Sequence, residues 1–337
     1  MLNAISTQYL QEFTSAVASA ASVSSDKKMF AITPVMETKL RDAIKTSHAF
    51  LGLIHTALVA QIKGQVIDVG LDGLATGRAD GRFSVDVDQR GNTYELVKTD
   101  SGSHVKWEEM TQWANSGNKG EWLNLMKASI AKRFALDMLR IGFNGTHIAT
   151  ITDPKKYTKG QDVNKGWLTI VKEKVPAQVL ASAKLDPTGK TPGSYKNLDS
   201  LAQDLINTTI AEEFRQDDDL VVIVGSSLVA AEQHRLLEAA DKPTEHRAAQ
   251  ALAKTMAGKK AYVPPFFPSN GIWITNLKNL QILTQSGTQW RKQENNDDRL
   301  RYESNHIRME GYAVGNMNKF AAIENVEIID DSTSETE

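Results

Sequence analysis

Hydrophobic positions along this 337-residue chain change period several times, and each change marks an element. Ile5, Tyr9, Phe13 and Val17 recur every fourth residue, which predicts a short amphipathic helix over residues 2–20. Ala18 to Asp26 is small and polar and reads as a soft joint. Thr33-Pro34 opens a second helix, with Thr as N-cap, Pro in the first turn and Met36, Leu40 and Ile44 as its stripe. Between residues 60 and 106 the pattern shortens. Gly64, Gly70, Gly73, Gly77, Gly81, Gly91 and Gly102 separate short β-type runs at Val66–Val69, Phe83–Asp88, Tyr94–Lys98 and His104–Trp107. Few of these runs have the apolar mass for a core, so the stretch predicts an extended hairpin or loop that needs outside contacts.

A stripe of Leu123, Met126, Ile130, Phe134 and Met138 predicts a long helix within 108–141. Trp122, Leu125, Ala128, Ala135 and Leu139 widen its apolar arc, and Gly142 is expected to stop it. A helical piece follows around Trp167–Leu180. Residues 198–240 read helix, strand, helix, and the β-branched run Leu220–Val224 predicts a strand buried on both faces. Ile272–Ile274 and Leu280–Leu283 are strand-like, Lys292–Arg301 reads as a charged loop, and 302–328 holds more strands. The acidic tail 330–337 is expected to be disordered. The fold class is α+β.

Composition narrows the class. With 41 % hydrophobic and 24 % charged residues the chain is globular. Its length exceeds what one core usually supports, so two packed units are expected. A net charge of −2 excludes a general basic coat for nucleic acid. The absence of cysteine removes disulfide frameworks, cysteine metal cages and thiol nucleophiles, and fits an intracellular setting. No apolar run approaches the roughly 18 residues of a membrane span. Ala18-Ser19-Ala20 imitates a signal-peptidase site, but residues 1–25 lack Lys and Arg, and Gln8, Gln11 and Glu12 interrupt any apolar region.

Candidate chemistry is sparse. Gly189-Lys190-Thr191 imitates the end of a phosphate loop, yet Lys184 stands where the first glycine is needed. Val224-Gly225-Ser226-Ser227 lacks the glycines of a dinucleotide fingerprint or a nucleophile elbow, so a serine there reads as a helix N-cap. The seven histidines show no zinc spacing, and Asp217–Asp219 and Asp297-Asp298 read as solvated runs. No catalytic residue, cofactor or metal site is assigned, and the chain is not expected to be an enzyme.

Several segments, in order, resemble the major capsid protein of P-two-like (Peduovirus-type) tailed bacteriophages. They are Lys132-Arg133 with Leu136-Asp137 and Gly142–Gly145; Asp162-Val163 with Gly166–Leu168; Asp219–Gly225; Phe267-Pro268 with Ile274-Thr275; and Tyr302–Ser304 with Tyr312. The resemblance covers roughly residues 27–315 and implies a Hong Kong 97-like capsid fold. It implies these parts: a removable N-terminal segment 1–30, an N-arm 31–59, an extended E-loop 60–106, and a P-domain with spine helix 107–197. An A-domain 198–301, a return to the P-domain over 302–329 and the tail 330–337 complete the chain.

The implied function is a shell subunit that self-assembles into pentamers and hexamers around double-stranded DNA, which it contacts without sequence specificity. Implied partners are a scaffolding protein, a maturation protease and a portal protein, with assembly in the host cytoplasm and no membrane. The resemblance places N-terminal processing near Lys28–Ala31, with Phe30-Ala31 as the bond. A loose Ser22–Phe30 segment between two helices suits that role, and Ile5, Tyr9, Phe13 and Val17 would form a docking face for scaffold or neighbouring copies. Two other readings stay open. One is an α/β nucleotide-binding enzyme, resting on 220–224 and Gly189–Thr191. The other is another phage structural or scaffold component, or a cellular shell protein of the same fold.

Overall fold

A computed structural model describes residues 2–24, 27–66, 76, 78, 93–238 and 254–329. The expected strand Phe83–Asp88, most of Val66–Val69 and the tail 330–337 lie outside the described residues. In chain order the elements begin α1 (Ala4–Ala20), β1 (Phe30–Ala31), α2 (Pro34–Thr46), α3 (Ala49–Leu53), β2 (His55–Val59) and β3 (Lys63–Gln65). Next come β4 (Thr93–Glu95), β5 (Val97–Lys106), α4 (Trp107–Ser116), α5 (Lys119–Asn144), α6 (Trp167–Lys174), β6 (Val179–Leu185) and α7 (Leu198–Thr209). The rest are β7 (Leu220–Val224), α8 (Ser226–Glu238), β8 (Thr255–Met256), β9 (Lys259–Tyr262), β10 (Ile272–Asn276), β11 (Leu280–Gln285), β12 (Trp290–Asn296), β13 (Arg301–Val314) and β14 (Phe320–Ile328).

The chain divides into two compact units. The first comprises residues 1–63, 95–139 and 282–312. Two of its helices, α1 and α2, start on the caps that their sequences offer. Asn3 accepts from Ser6 N–H at 2.8 Å, and Thr33 accepts from Met36 N–H at 3.4 Å with Pro34 in the first turn. Its sheet runs β1-β12-β13-β11-β2, with β5 also paired to β13. β13 is the hub: Arg301–Glu310 pairs antiparallel with Val97–Lys106, and Arg301–Ile307 with Trp290–Asn296.

Two expectations change here. Lys292–Arg301 is not mainly a loop, since Lys292–Asn296 lies in β12. Arg291 and Gln293 are buried while Lys292 and Glu294 are half-buried, a period of two that their shared polarity hides. The run belongs to this unit, so the division expected at residue 301 falls inside it. Residues 97–106 are likewise not part of a coreless loop. Thr99, Ser103 and Val105 of β5 are buried, because β13 pairs along the whole strand. Only β3 and β4, a two-stranded ribbon, remain as the described base of the Gly-punctuated stretch.

The second unit comprises residues 64–94, 140–281 and 313–337. Its sheet is ordered β6-β14-β10-β7-β9-β8. β7 is wholly buried, as its β-branched run predicts, between antiparallel β10 and parallel β9. Leu201, Leu205 and Ile206 of α7 pack with Val222, Val224, Ile274 and Ile323 in one core. The sheet takes in 179–185 and 320–328, which were expected in a different part of the chain from 198–301; β6 and β14 pair in parallel and β14 pairs with β10. A cluster of Phe143, Trp167, Phe267, Trp273 and Phe320 joins ring edges to ring faces at centroid distances of 4.9–5.6 Å.

Two boundaries also move. Gly142 does not stop the long helix; α5 continues to Asn144, and Gly142 gives room to the Trp167 ring, which lies 2.5 Å from where a Cβ would stand. The expected helix 167–180 ends at Lys174, because Pro176 opens a short turn and Val179 enters β6.

Candidate functional site

The expected processing bond, Phe30–Ala31, forms β1. Phe30 stands opposite Arg291 and Ala31 opposite Trp290, and Ile32 N–H donates to the Gln289 carbonyl at 3.1 Å. Phe30 is 5 % exposed and packs with Ala21 and Ile32, flanked by Val17, Val23, Met36 and Leu40. The open segment expected over Ser22–Phe30 therefore stops one residue short of the bond: Lys27, Lys28 and Met29 are exposed, but Phe30 is not. Alternation explains this. Phe30 and Ile32 face inward, while Met29 and Ala31 face outward.

Upstream, α1 is not a free docking face. Its buried arc is Ser6, Leu10 and Phe13, one step round from the predicted stripe, and Ile5 is 48 % exposed. The arc fills a pocket of Met110, Ala114, Trp122, Met126 and Tyr302 in the same unit. Phe13 meets Trp122 and Tyr302 edge-on at 6.4 and 5.9 Å, and Tyr9 lies 5.8 Å from Trp122. Polar contacts fix the helix ends and side. Ser6 Oγ donates to the Met110 carbonyl at 3.3 Å, Asn3 Nδ2 donates to Asn115 Oδ1 at 2.9 Å, and Lys119 pairs with Glu12. Glu37 of α2, fully buried, accepts from Gly287 N–H at 2.9 Å and so ties α2 to the turn before β12.

Beside β1 the inward face of β12 and β13 is polar. Arg308 donates to Glu310 through Nε at 2.5 Å and Nη2 at 3.0 Å, and to Ser101 Oγ at 2.8 Å; both ions are almost wholly buried. Tyr302 donates to Gln293, and Tyr312 to the Met138 carbonyl, each at 3.0 Å. His306 Nε2 lies 3.1 Å from Gln289 Oε1, its Nδ1 has no partner among the described residues, and its ring is 6.2 Å from Phe134. His306 and Thr56 line a cavity of about 30 Å³, enough for one or two waters, with Arg41 and Lys45 of α2 on the same wall.

Burial, then Arg308 and Arg291, hold the His306 imidazolium well below its ordinary range. The unfolded chain thus binds a proton near pH 6.5 that the folded chain refuses, so stability falls as pH drops below about 6.5, by up to about 1.4 kcal/mol per unit. The loss continues until the depressed folded pKa is reached. The urea midpoint is expected to be lower at pH 5.5 than at pH 7.5, and His306→Gln is expected to shrink that difference.

The remaining motifs carry no ligand chemistry. Asp186 already occupies the centre of the Gly189–Thr191 loop, accepting from Thr188 and Thr191 N–H at 2.8 Å each, where a phosphate would have to sit. These bonds, led by the Thr188 hydroxyl, press its carboxyl far below the usual range. Gly225 sits against the Ser269 and Pro268 carbonyls, leaving no space for a Cβ, and α8 starts directly after it. Asp217 pairs with Lys319 at 3.3 Å. Among the described residues no three metal-ligating side chains converge, and no helix is long and apolar enough to cross a membrane.

Comparison with known proteins accounts for this pattern. The family model "Phage major capsid protein, P2 family" matches residues 9–326. The capsid protein of Escherichia phage P2 is 28 % identical over 328 residues, covering 91 % of this chain and 89 % of the relative. The major capsid protein of Serratia phage KSP20 is 28 % identical over 274 residues, covering 77 % and 78 %. A chain of the satellite phage P4 procapsid, solved with its size determination protein, superposes with a TM-score of 0.75 at 24 % identity over 96 % of this chain and 98 % of that one. The α+β architecture is the Hong Kong 97-like capsid fold, and the role it serves is structural, not enzymatic. With the family model spanning α1 through β14, this chain belongs to the P2 family of phage major capsid proteins.

Proposed function

We propose that this chain assembles as pentamers and hexamers into the icosahedral shell of a tailed phage, around double-stranded DNA, and that a maturation protease removes residues 1–30. The family match over 9–326 is the observation that carries the reading. Phage capsid proteins form the virion shell, and a shell subunit must bury surface against its neighbours; obligate contacts of this kind bury about 2,000 Å² or more. The glycine-punctuated stretch within 60–106, whose described base is only the β3–β4 ribbon, suits a loop laid across an adjacent copy. Residues 31–59 then serve as the arm and α5 as the spine helix. The net charge of −2 limits repulsion among packed copies and avoids a tight, sequence-reading grip on DNA. Scaffolding protein, protease and portal protein are the further partners, met in the host cytoplasm during assembly.

Processing at Phe30–Ala31 would leave α2, capped by Thr33, intact. Intact-mass measurement of the subunits in DNA-filled particles is expected to give a chain beginning at Ala31. A mass beginning at Met1 or Leu2 would contradict processing.

A further inference from the structure

We infer that α1 is a lock on the processing bond: while its apolar arc is docked, Phe30–Ala31 is held in the sheet, and the bond becomes cleavable only when α1 is drawn off. The inference rests on the proposed processing at this bond and adds its control. A protease binds its substrate as an extended strand over several residues, so the segment around the bond must leave its own sheet to be cut. Three sets of contacts oppose that departure. The β1–β12 pairing and the Ile32 N–H bond to Gln289 hold the backbone. The side chain of Phe30 is enclosed by Val17 and Ala21 at the end of α1, by Val23, and by Met36 and Leu40 of α2. Finally, α1 itself is anchored one to three turns upstream by Leu10 and Phe13 in the Trp122–Tyr302 pocket.

Val17 joins these sets, because it flanks both the Trp122 pocket cluster and the Phe30 cluster. Undocking α1 removes two walls of the Phe30 cage, Val17 and Ala21, and leaves β1 as a two-residue edge strand, which few backbone bonds retain. A partner that binds the arc of Leu10 and Phe13 would therefore license the cut. The reaction itself adds water across the Phe30–Ala31 amide, leaving a carboxylate on Phe30 and an ammonium on Ala31, with the protease as catalyst.

Chymotrypsin cuts after aromatic residues and trypsin after lysine, so two ordinary proteases read the lock in the soluble, unassembled full-length chain. Trypsin is expected to cut at the exposed Lys27 and Lys28 much faster than chymotrypsin cuts after Phe30. Phe13→Ala is expected to raise the Phe30 cut, followed by mass, at least about tenfold, the factor that 1.4 kcal/mol of lost docking gives. Ile5→Ala, on the exposed side of α1, is expected to leave it unchanged. New cuts after the buried Phe143 or Trp273 would signal general unfolding; the milder Leu10→Val is then the deciding variant, expected to speed the Phe30 cut alone. Equal rates at Phe30 in the parent chain and in the variant that stays folded would overturn the lock. Subunits from particles that begin elsewhere than Ala31 would instead overturn the processing assignment, whatever chymotrypsin shows.

Discussion

Glu310→Ala is expected to destabilise the first unit by about 3–5 kcal/mol, because it leaves the buried Arg308 guanidinium without its carboxylate. Arg308 and Glu310 are 3 % and 1 % exposed, and the carboxylate takes two of the guanidinium's donors. Without it, Ser101 Oγ still accepts from Nη1, and the Asp100 carboxylate still attracts the guanidinium. The pair is not expected to be a large net source of stability. Two ions taken from water regain little more than their desolvation, so Arg308→Met combined with Glu310→Leu is expected to lie within about 1–2 kcal/mol of the parent chain or above it. Urea denaturation of the soluble subunit separates the two cases. Similar losses for single and double variants would show that the pair's geometry, and not the uncompensated charge, governs this part of the sheet.

Trp273→Ala is expected to cost about 3–5 kcal/mol, since it empties the centre of the aromatic cluster in the second unit. Trp273 is fully buried, and its ring lies 4.9 Å from Phe267, 5.4 Å from Phe320 and 5.6 Å from Phe143. Its Nε1–H is buried without a partner among the described residues, a group whose desolvation is itself unfavourable by about 1–3 kcal/mol. Trp273→Phe deletes that donor along with part of the ring, so it is expected to cost less than about 1.5 kcal/mol. The measurement is the thermal midpoint of each variant. A Phe variant as unstable as the Ala variant would show that the ring volume Phe keeps restores nothing, and would contradict the packing role assigned to the cluster.

The parts of this fold legible in the sequence are those where one period dominates. The β-branched run of β7 forms as read, and so does the α5 stripe of Met126, Ile130, Phe134 and Met138, although Leu125 and Ala128 of the wider arc are exposed and the helix runs past Gly142. The Thr33-Pro34 start of α2 is equally explicit. What escaped were elements whose inward face is polar. Along β12 and β13, Arg291, Gln293, Ser304, His306 and Arg308 are buried, while Lys292, Glu294 and Asn305 beside them are polar and Ile307 and Met309 are apolar on the less buried side, so alternation selects no inside or the wrong one. Their burial is decided by partners distant in sequence, Ser101 for Arg308 and Gln289 for His306. The strand β1 escaped for a related reason. Two residues are too few to carry a period, and Phe30 is buried by α1 and α2 rather than by any pattern of its own. The helix α1 was legible, but its inward arc was displaced by one residue, because Ile5 is apolar and exposed while Ser6 is polar and buried.

Electron microscopy of the purified chain, expressed alone and together with a candidate scaffolding protein, decides whether it builds a shell. Closed shells built from five-fold and six-fold capsomers are expected. A protein that stays a dispersed monomer under every assembly condition, with scaffold present, would contradict this expectation.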